Sequence, residues 1–290
     1  MVRWLRPACW LLATGCTLPA QAPKAGPPTV LDRAFTRLYN FDFPGAHRIL
    51  DESTRGDPAH PLNYSIRAAA YLFSELDRLK ILEIDFFMDD DKVVTKKRLK
   101  PDPAVREAFF KVIEEARRRA TARLAARADD REALFAMCMS AGLVTDYAAL
   151  IERRRFGAVS LSRQTQYYAR RLLALKPPYY DAYLATGTAE YVVGCIPWIF
   201  RWLVRFEGVQ GSKQKGIENL QLVAQQGRYY APFARVLLSV ICLREKKPQE
   251  AEKLLAGLVR DFPENLLLRK ELNQVRQRLP SRPAGGPARR

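Results

Sequence analysis

Histidine is nearly absent from this chain: its 290 residues include only His47 and His60. The two lack a companion cluster of Cys, Asp or Glu at ligand spacing, so neither a zinc site nor a histidine acid–base centre can be built from the pattern. Glycine is sparse too, 15 in all, with no phosphate-cradling Gly loop and no Ser set between glycines. That leaves nucleotide hydrolysis and serine-hydrolase chemistry without a motif. The glycine-spaced stretch Glu207–Gly216 reads as a long turn, since no strand precedes it and no Gly-Lys-Ser/Thr ends it. Asp89, Asp90 and Asp91 lack the spaced ligands, turn Gly and closing Glu of a calcium loop, and read as a solvated acidic turn. An enzyme would need acids such as Glu75, Asp85 and Glu190 to converge in one cleft, and nothing in their spacing predicts it. No catalytic site, metal or cofactor is expected.

Cysteine is scarce as well. Beyond the N-terminal segment stand Cys138, Cys195 and Cys242, an odd number without close spacing and each among apolar neighbours. Buried free thiols are the expectation, with no pairing assignable. Alternating strand patterns are missing. Hydrophobic residues make up 48% and aromatics 10%, enough for a large core, while Ala, Leu, Arg and Glu fill long windows and favour helix.

Residues 1–22 read as an export signal: Arg3 and Arg6, then the apolar Trp10-Leu-Leu-Ala13, then small residues. Two cleavage readings stay open. One cuts after Ala20-Gln21-Ala22. The other is a bacterial lipoprotein site, Leu12-Ala13-Thr14-Gly15-Cys16, with Cys16 taking the lipid. Pro-rich residues 23–29 would be a stiff tether, residues 30–279 a single helical domain, and residues 280–290 a disordered basic tail. Localisation would be periplasm or outer membrane, by way of a lipid anchor.

Within 30–279 the apolar spacing predicts ten or more helices with short connections. In the clearest, Val105, Ala108, Phe109, Val112, Ile113, Ala116, Ala120 and Leu124 form one stripe after the cap Asp102-Pro103. Asp181 is expected to cap a long helix towards Phe206, kinked at Pro197. Two stretches share a pattern. Phe43-Pro-Gly-Ala46 leads to Leu50 and Pro58, and Lys247-Pro-Gln-Glu-Ala251 leads to Leu255 and Pro263. In each, Leu follows Ala by four positions and Pro follows by twelve. Around Tyr167-Tyr-Ala169 the pattern is looser. It resembles the second half of a tetratricopeptide repeat (TPR). The resemblance implies an all-α fold, a right-handed α-solenoid of antiparallel helix pairs with divergent middle repeats, and a function of binding rather than transformation.

Three features offer binding surfaces. From Lys92 to Arg127 twelve basic residues face four acidic ones, and Arg119, Arg123 and Arg127 share one helix face. This is a solvated face or an anion-attracting one. With a formal charge of +17 it suits anionic lipid headgroups, lipopolysaccharide, peptidoglycan carboxylates or an acidic protein or peptide, and export argues against nucleic acid. The run Val192–Phe206 carries Trp198 and Trp202 on one face, as a buried helix or as the wall of a hydrophobic groove. Tyr168, Tyr180, Tyr183, Tyr230 and Arg171 would line a concave groove, if not inter-helix contacts. The reading is a scaffold for a protein or peptide at the cell envelope. The alternative is a periplasmic component, linked to transport, that binds a small hydrophobic or anionic ligand beside Trp198–Phe206.

Overall fold

The computed structural model describes residues 27–88, 100–196 and 209–279. Cys16 and both cleavage sites, most of the tether, the Asp89–Asp91 turn, Trp198 and Trp202 with their helix face, and the basic tail lie outside these residues. The described chain is all-helical, without strands. Its α-helices are α1 (Val30–Tyr39), α2 (Phe43–Gly56), α3 (Pro61–Arg78), the short α4 (Ile84–Met88), α5 (Pro103–Ala126), α6 (Arg131–Asp146), α7 (Arg155–Leu173), α8 (Tyr183–Cys195), α9 (Lys213–Gln226), α10 (Ala231–Arg244), α11 (Pro248–Asp261) and α12 (Leu266–Arg278). They pack as neighbours: α1 with α2, α3 with α5, α6 with α7, α8 with α9, α10 with α11, and α12 on α11.

Helix starts follow sequence chemistry. Thr29 and Asp32 form a reciprocal capping box on α1. Asp102 accepts from the Ala104 and Val105 amides at 2.8 and 3.2 Å, with Pro103 in the first turn, as expected. Asp130, Ser212 and Asn265 cap α6, α9 and α12 in the same way. The two patterned stretches also share a turn. Phe41 and Lys246 both adopt positive φ, 61° and 59°, five residues before Ala46 and Ala251. In each turn the next residue's amide donates five positions back, Asp42 to Arg37 O and Lys247 to Cys242 O. Ala46 and Ala251 are fully enclosed, and Leu50 and Leu255 are buried beside them. A larger side chain at either Ala would force the paired helices apart.

Two helices depart from expectation. Apolar spacing starts α7 at Arg163, yet it begins at Arg155, because buried Ala158 anchors a first turn whose Gly157 and Val159 are weak helix formers. α8 stops at Cys195 instead of continuing past Pro197. Ile196 is extended (φ −76°, ψ 134°), the conformation that a following proline imposes. Helix α6, continued by a π-helical turn at Tyr147–Ile151, is the one described segment long and apolar enough to cross a membrane. Most of it is buried against α3, α5 and α7, so it serves here as the core helix.

The N-terminal helix meets the C-terminal ones. Phe35 of α1 stacks on Tyr229 at 4.7 Å between ring centres, and Tyr39 donates its hydroxyl to the Tyr229 carbonyl at 2.8 Å. Asn265 donates to Tyr39 O at 2.8 Å, and the Glu264 amide to Asn40 Oδ1 at 3.1 Å. Arg228 grips Asp32 with two bonds of 3.2 and 3.0 Å. Burial works against the charged Asp32, but the bonds from Arg228 and Thr29 outweigh it and hold its carboxyl down at about 2. A depressed carboxyl contributes stability at pH values above its ordinary range, and that contribution is lost as pH falls towards 2. Arg228→Met should therefore cost about 1–2 kcal/mol at pH 7 by leaving buried Asp32 short of donors. Urea titrations should show the two proteins converging as pH approaches 2; a constant gap across that range would contradict the assignment.

Candidate functional site

The expected groove residues divide among three places. Tyr230 belongs to an aromatic joint. Its ring meets Phe135 at 5.3 Å and Phe35 at 6.3 Å, and burial pushes its hydroxyl well above the usual tyrosine range. Tyr180 and Tyr183 lie 6.3 Å apart at the start of α8, and Tyr183 packs on the α9–α10 core. Tyr168 and Arg171 do come together, on α7. Tyr167 meets Tyr168 edge-on at 5.1 Å, and Arg171 sits over the Tyr167 ring at 5.7 Å while donating to the Ala128 carbonyl. Arg117 of α5 reaches across to Gln164 of α7 at 3.5 Å.

The expected arginine face of α5 is largely consumed by structure. Arg119 binds Glu115 at 2.6 Å and covers Tyr64. Arg123 reaches Asp130 at 2.9 Å and Glu132 at 3.1 Å, and Arg127 reaches Asp130 at 2.8 Å. Asp130 also caps α6, so these arginines fasten the α5–α6 turn instead of presenting free charge. Burial raises the Asp130 carboxyl, but the Ala133 amide and the two arginines bring it below its ordinary value. Helix α7 differs in composition. Helix α7 contains Arg155, Arg163, Arg170 and Arg171 and no acidic residue at all. Tyr167 on it is 50% exposed, one of the few large apolar side chains so displayed. Arg117, half-enclosed beside Tyr168, has the charged form of its guanidinium disfavoured by burial. The absence of acids from α7 was readable in the sequence; the pairing that neutralises α5 was not.

Glu75, Asp85 and Glu190 are each committed to separate partners. Glu75 accepts from Arg78 and from the Asp102 amide, Asp85 from Arg278, and Glu190 from the amides of Gln210, Gly211 and Ser212. Among the described residues no three His, Cys, Asp or Glu side chains gather as metal ligands. The three cysteines are free, but only Cys138 is buried; Cys242 is half-buried and Cys195 exposed. Cys195 ends α8 beside the proline break, which turns it outward from the apolar run that predicted its burial. Burial pushes the Cys138 thiol up to about 12, which keeps it protonated and unreactive.

Asp181 does not cap α8 as expected. It is 3% exposed, and its Oδ1 accepts from the Tyr229 and Tyr230 amides at 2.9 and 2.6 Å, its Oδ2 from the Arg228 amide at 3.0 Å. Those three amides precede α10, so Asp181 binds one helix pair to the next. The wall proposed for a small-ligand pocket, Trp198–Phe206, lies outside the described residues. No family model matches the chain, and no curated protein matches it significantly.

Proposed function

We propose that the protein is a non-catalytic, TPR-like scaffold, a right-handed stack of helix pairs that binds an acidic protein or peptide on the α5–α7 face. The observation that carries this reading is α7: four arginines, no acids, and Tyr167, Tyr168 and Arg171 together at its C-terminal half. Tyrosine supplies contact area at low entropic cost, and arginine attracts and orients carboxylates. The same reading places the protein at the cell envelope after export, with Cys16 as its lipid attachment. Binding is the whole mechanism: no bond is made or broken.

The test is affinity capture from the membrane fraction, with the wild-type domain and the double variant Arg163→Glu, Arg171→Glu. A discrete acidic protein should be retained by the wild type, weakened by raising salt, and reduced at least tenfold in the variant. Tyr180→Ala with Tyr183→Ala should retain it, since those rings lie on another element. Equal capture by the charge-reversed and wild-type domains would remove α7 as the docking face.

A further inference from the structure

Helix α12 buries one residue that stability alone does not explain. Leu268, Leu272 and Val275 pack into an apolar cluster with Leu255, Leu258, Phe262 and Ile84. Between them sits Glu271, 3% exposed, with neither carboxylate oxygen hydrogen-bonded. A buried carboxylate without partners is among the costliest groups to keep in a fold, and a leucine would pack there without penalty.

Its surroundings tie it to α4. Lys270 pairs with Glu83 at 2.8 Å on one side, and Arg278 with Asp85 at 2.8 Å on the other. Arg244 of α10 donates to the Phe87 carbonyl at 2.7 Å, and Ile84 itself is buried in the cluster. The five-residue helix is thus strapped over Glu271 by three polar contacts and one apolar anchor. We propose that α4 is a pH-sensitive strap, seated on α12 while Glu271 is protonated and loosened when Glu271 ionises.

The charges facing Glu271 favour its neutral form. Burial is the largest influence and raises its carboxyl. The Ile84 amide and Lys270 ease the charge, the amide without reaching hydrogen-bond geometry, and Asp85 and Glu83 on the strap oppose it. The result lies at about 7. From α11 and α10 the cluster receives Leu255 and Leu258, Val240 and Leu243, and from α1 the Tyr39 ring, while the charged Arg244 of α10 sits at the far end of the strap, on the Phe87 carbonyl. A carboxyl raised in the seated state binds its proton more tightly there than when released. Seating is therefore strongest at low pH and weakens as pH rises from the ordinary glutamate range through 7.

Hydrogen exchange at the amides of Phe86, Phe87 and Met88, corrected for intrinsic rates at each pH, reads the strap directly. Between pH 6 and pH 8 protection in the wild type should fall about tenfold. Glu271→Gln, which keeps the shape and cannot ionise, should hold the same protection at both values. Ile84→Ala, which removes the anchor alone, should lower protection by an equal factor at both. Thermal melting confirms that each variant folds, with Glu271→Leu replacing the Gln variant if the latter does not. Protection in the wild type that does not change with pH, or a fall that persists in Glu271→Gln, would overturn the proposal.

Discussion

Asp181→Ala is expected to destabilise the protein by about 3–5 kcal/mol, among the largest effects of any single polar substitution. The residue takes three successive backbone amides, those of Arg228, Tyr229 and Tyr230, at 3.0, 2.9 and 2.6 Å. Removing it leaves donors without acceptors at the entry to α10, where the Tyr229 amide is buried. Gly227 approaches closely: a Cβ there would lie 3.1 Å from Asp181 Oδ1 and 2.6 Å from the Val223 carbonyl. The damage should spread to the aromatic joint, because Tyr229 stacks on Phe35 and holds α1. Asp181→Asn should cost less. Its single carbonyl oxygen can still serve Tyr229 and Tyr230, while its amide faces the Arg228 N–H. Burial raises the Asp181 carboxyl despite its three donors, so the aspartate's own contribution declines as pH rises above the ordinary aspartate range, and the gap to Asn should narrow in that direction. Urea denaturation followed by near-ultraviolet circular dichroism measures both. A loss below about 1 kcal/mol for the Ala variant would mean that α10 is held elsewhere.

Gly216→Ala is the second. At Gly216 the α8 and α9 backbones touch. An added Cβ would lie 2.7 Å from Tyr191 N and 2.8 Å from both the Gly187 carbonyl and Tyr191 Cβ. Backbone atoms cannot swing aside, so the helices must separate, at a cost of about 3 kcal/mol that outweighs the helix propensity gained with alanine. Gly187→Ala, on the facing helix, meets the Asn219 and Leu220 side chains at 3.0 and 3.2 Å and Gly216 O at 3.1 Å, and should cost less. Gly56→Ala meets nothing within 4 Å and should be neutral or stabilising by about 0.5 kcal/mol. Urea midpoints should rank the three in that order, and a Gly216 variant as stable as the Gly56 one would show that α8 and α9 are not in backbone contact.

Much of this architecture was legible beforehand. The stripe from Val105 to Leu124, the cap at Asp102, and the shared Ala–Leu–Pro spacing around Ala46 and Ala251 are local signals. Periodicity and capping depend on residues within a turn or two, and those helices stand where expected. The candidate site was legible in part. Tyr168 and Arg171 lie one turn apart on a single helix, so their proximity follows from α-helical geometry. Tyr230 could not be placed that way, because its neighbours Phe35 and Phe135 lie far away along the chain.

The sequence by itself determined the helical class, most helix starts, the enclosed alanines and the acid-free character of α7, all properties of one segment and its immediate neighbours. Only the tertiary structure decided which charges are spent. Arg119, Arg123 and Arg127 form a basic face in the sequence, yet Glu115, Asp130 and Glu132 claim them in the fold. Asp181, Glu190 and Glu271 resemble surface acids in the sequence, yet two bind the amides of distant turns and the third is buried with no hydrogen bond. The reason is physical: burial and pairing arise from segments far apart in the chain, and the free energy of a charge depends on what surrounds it in space.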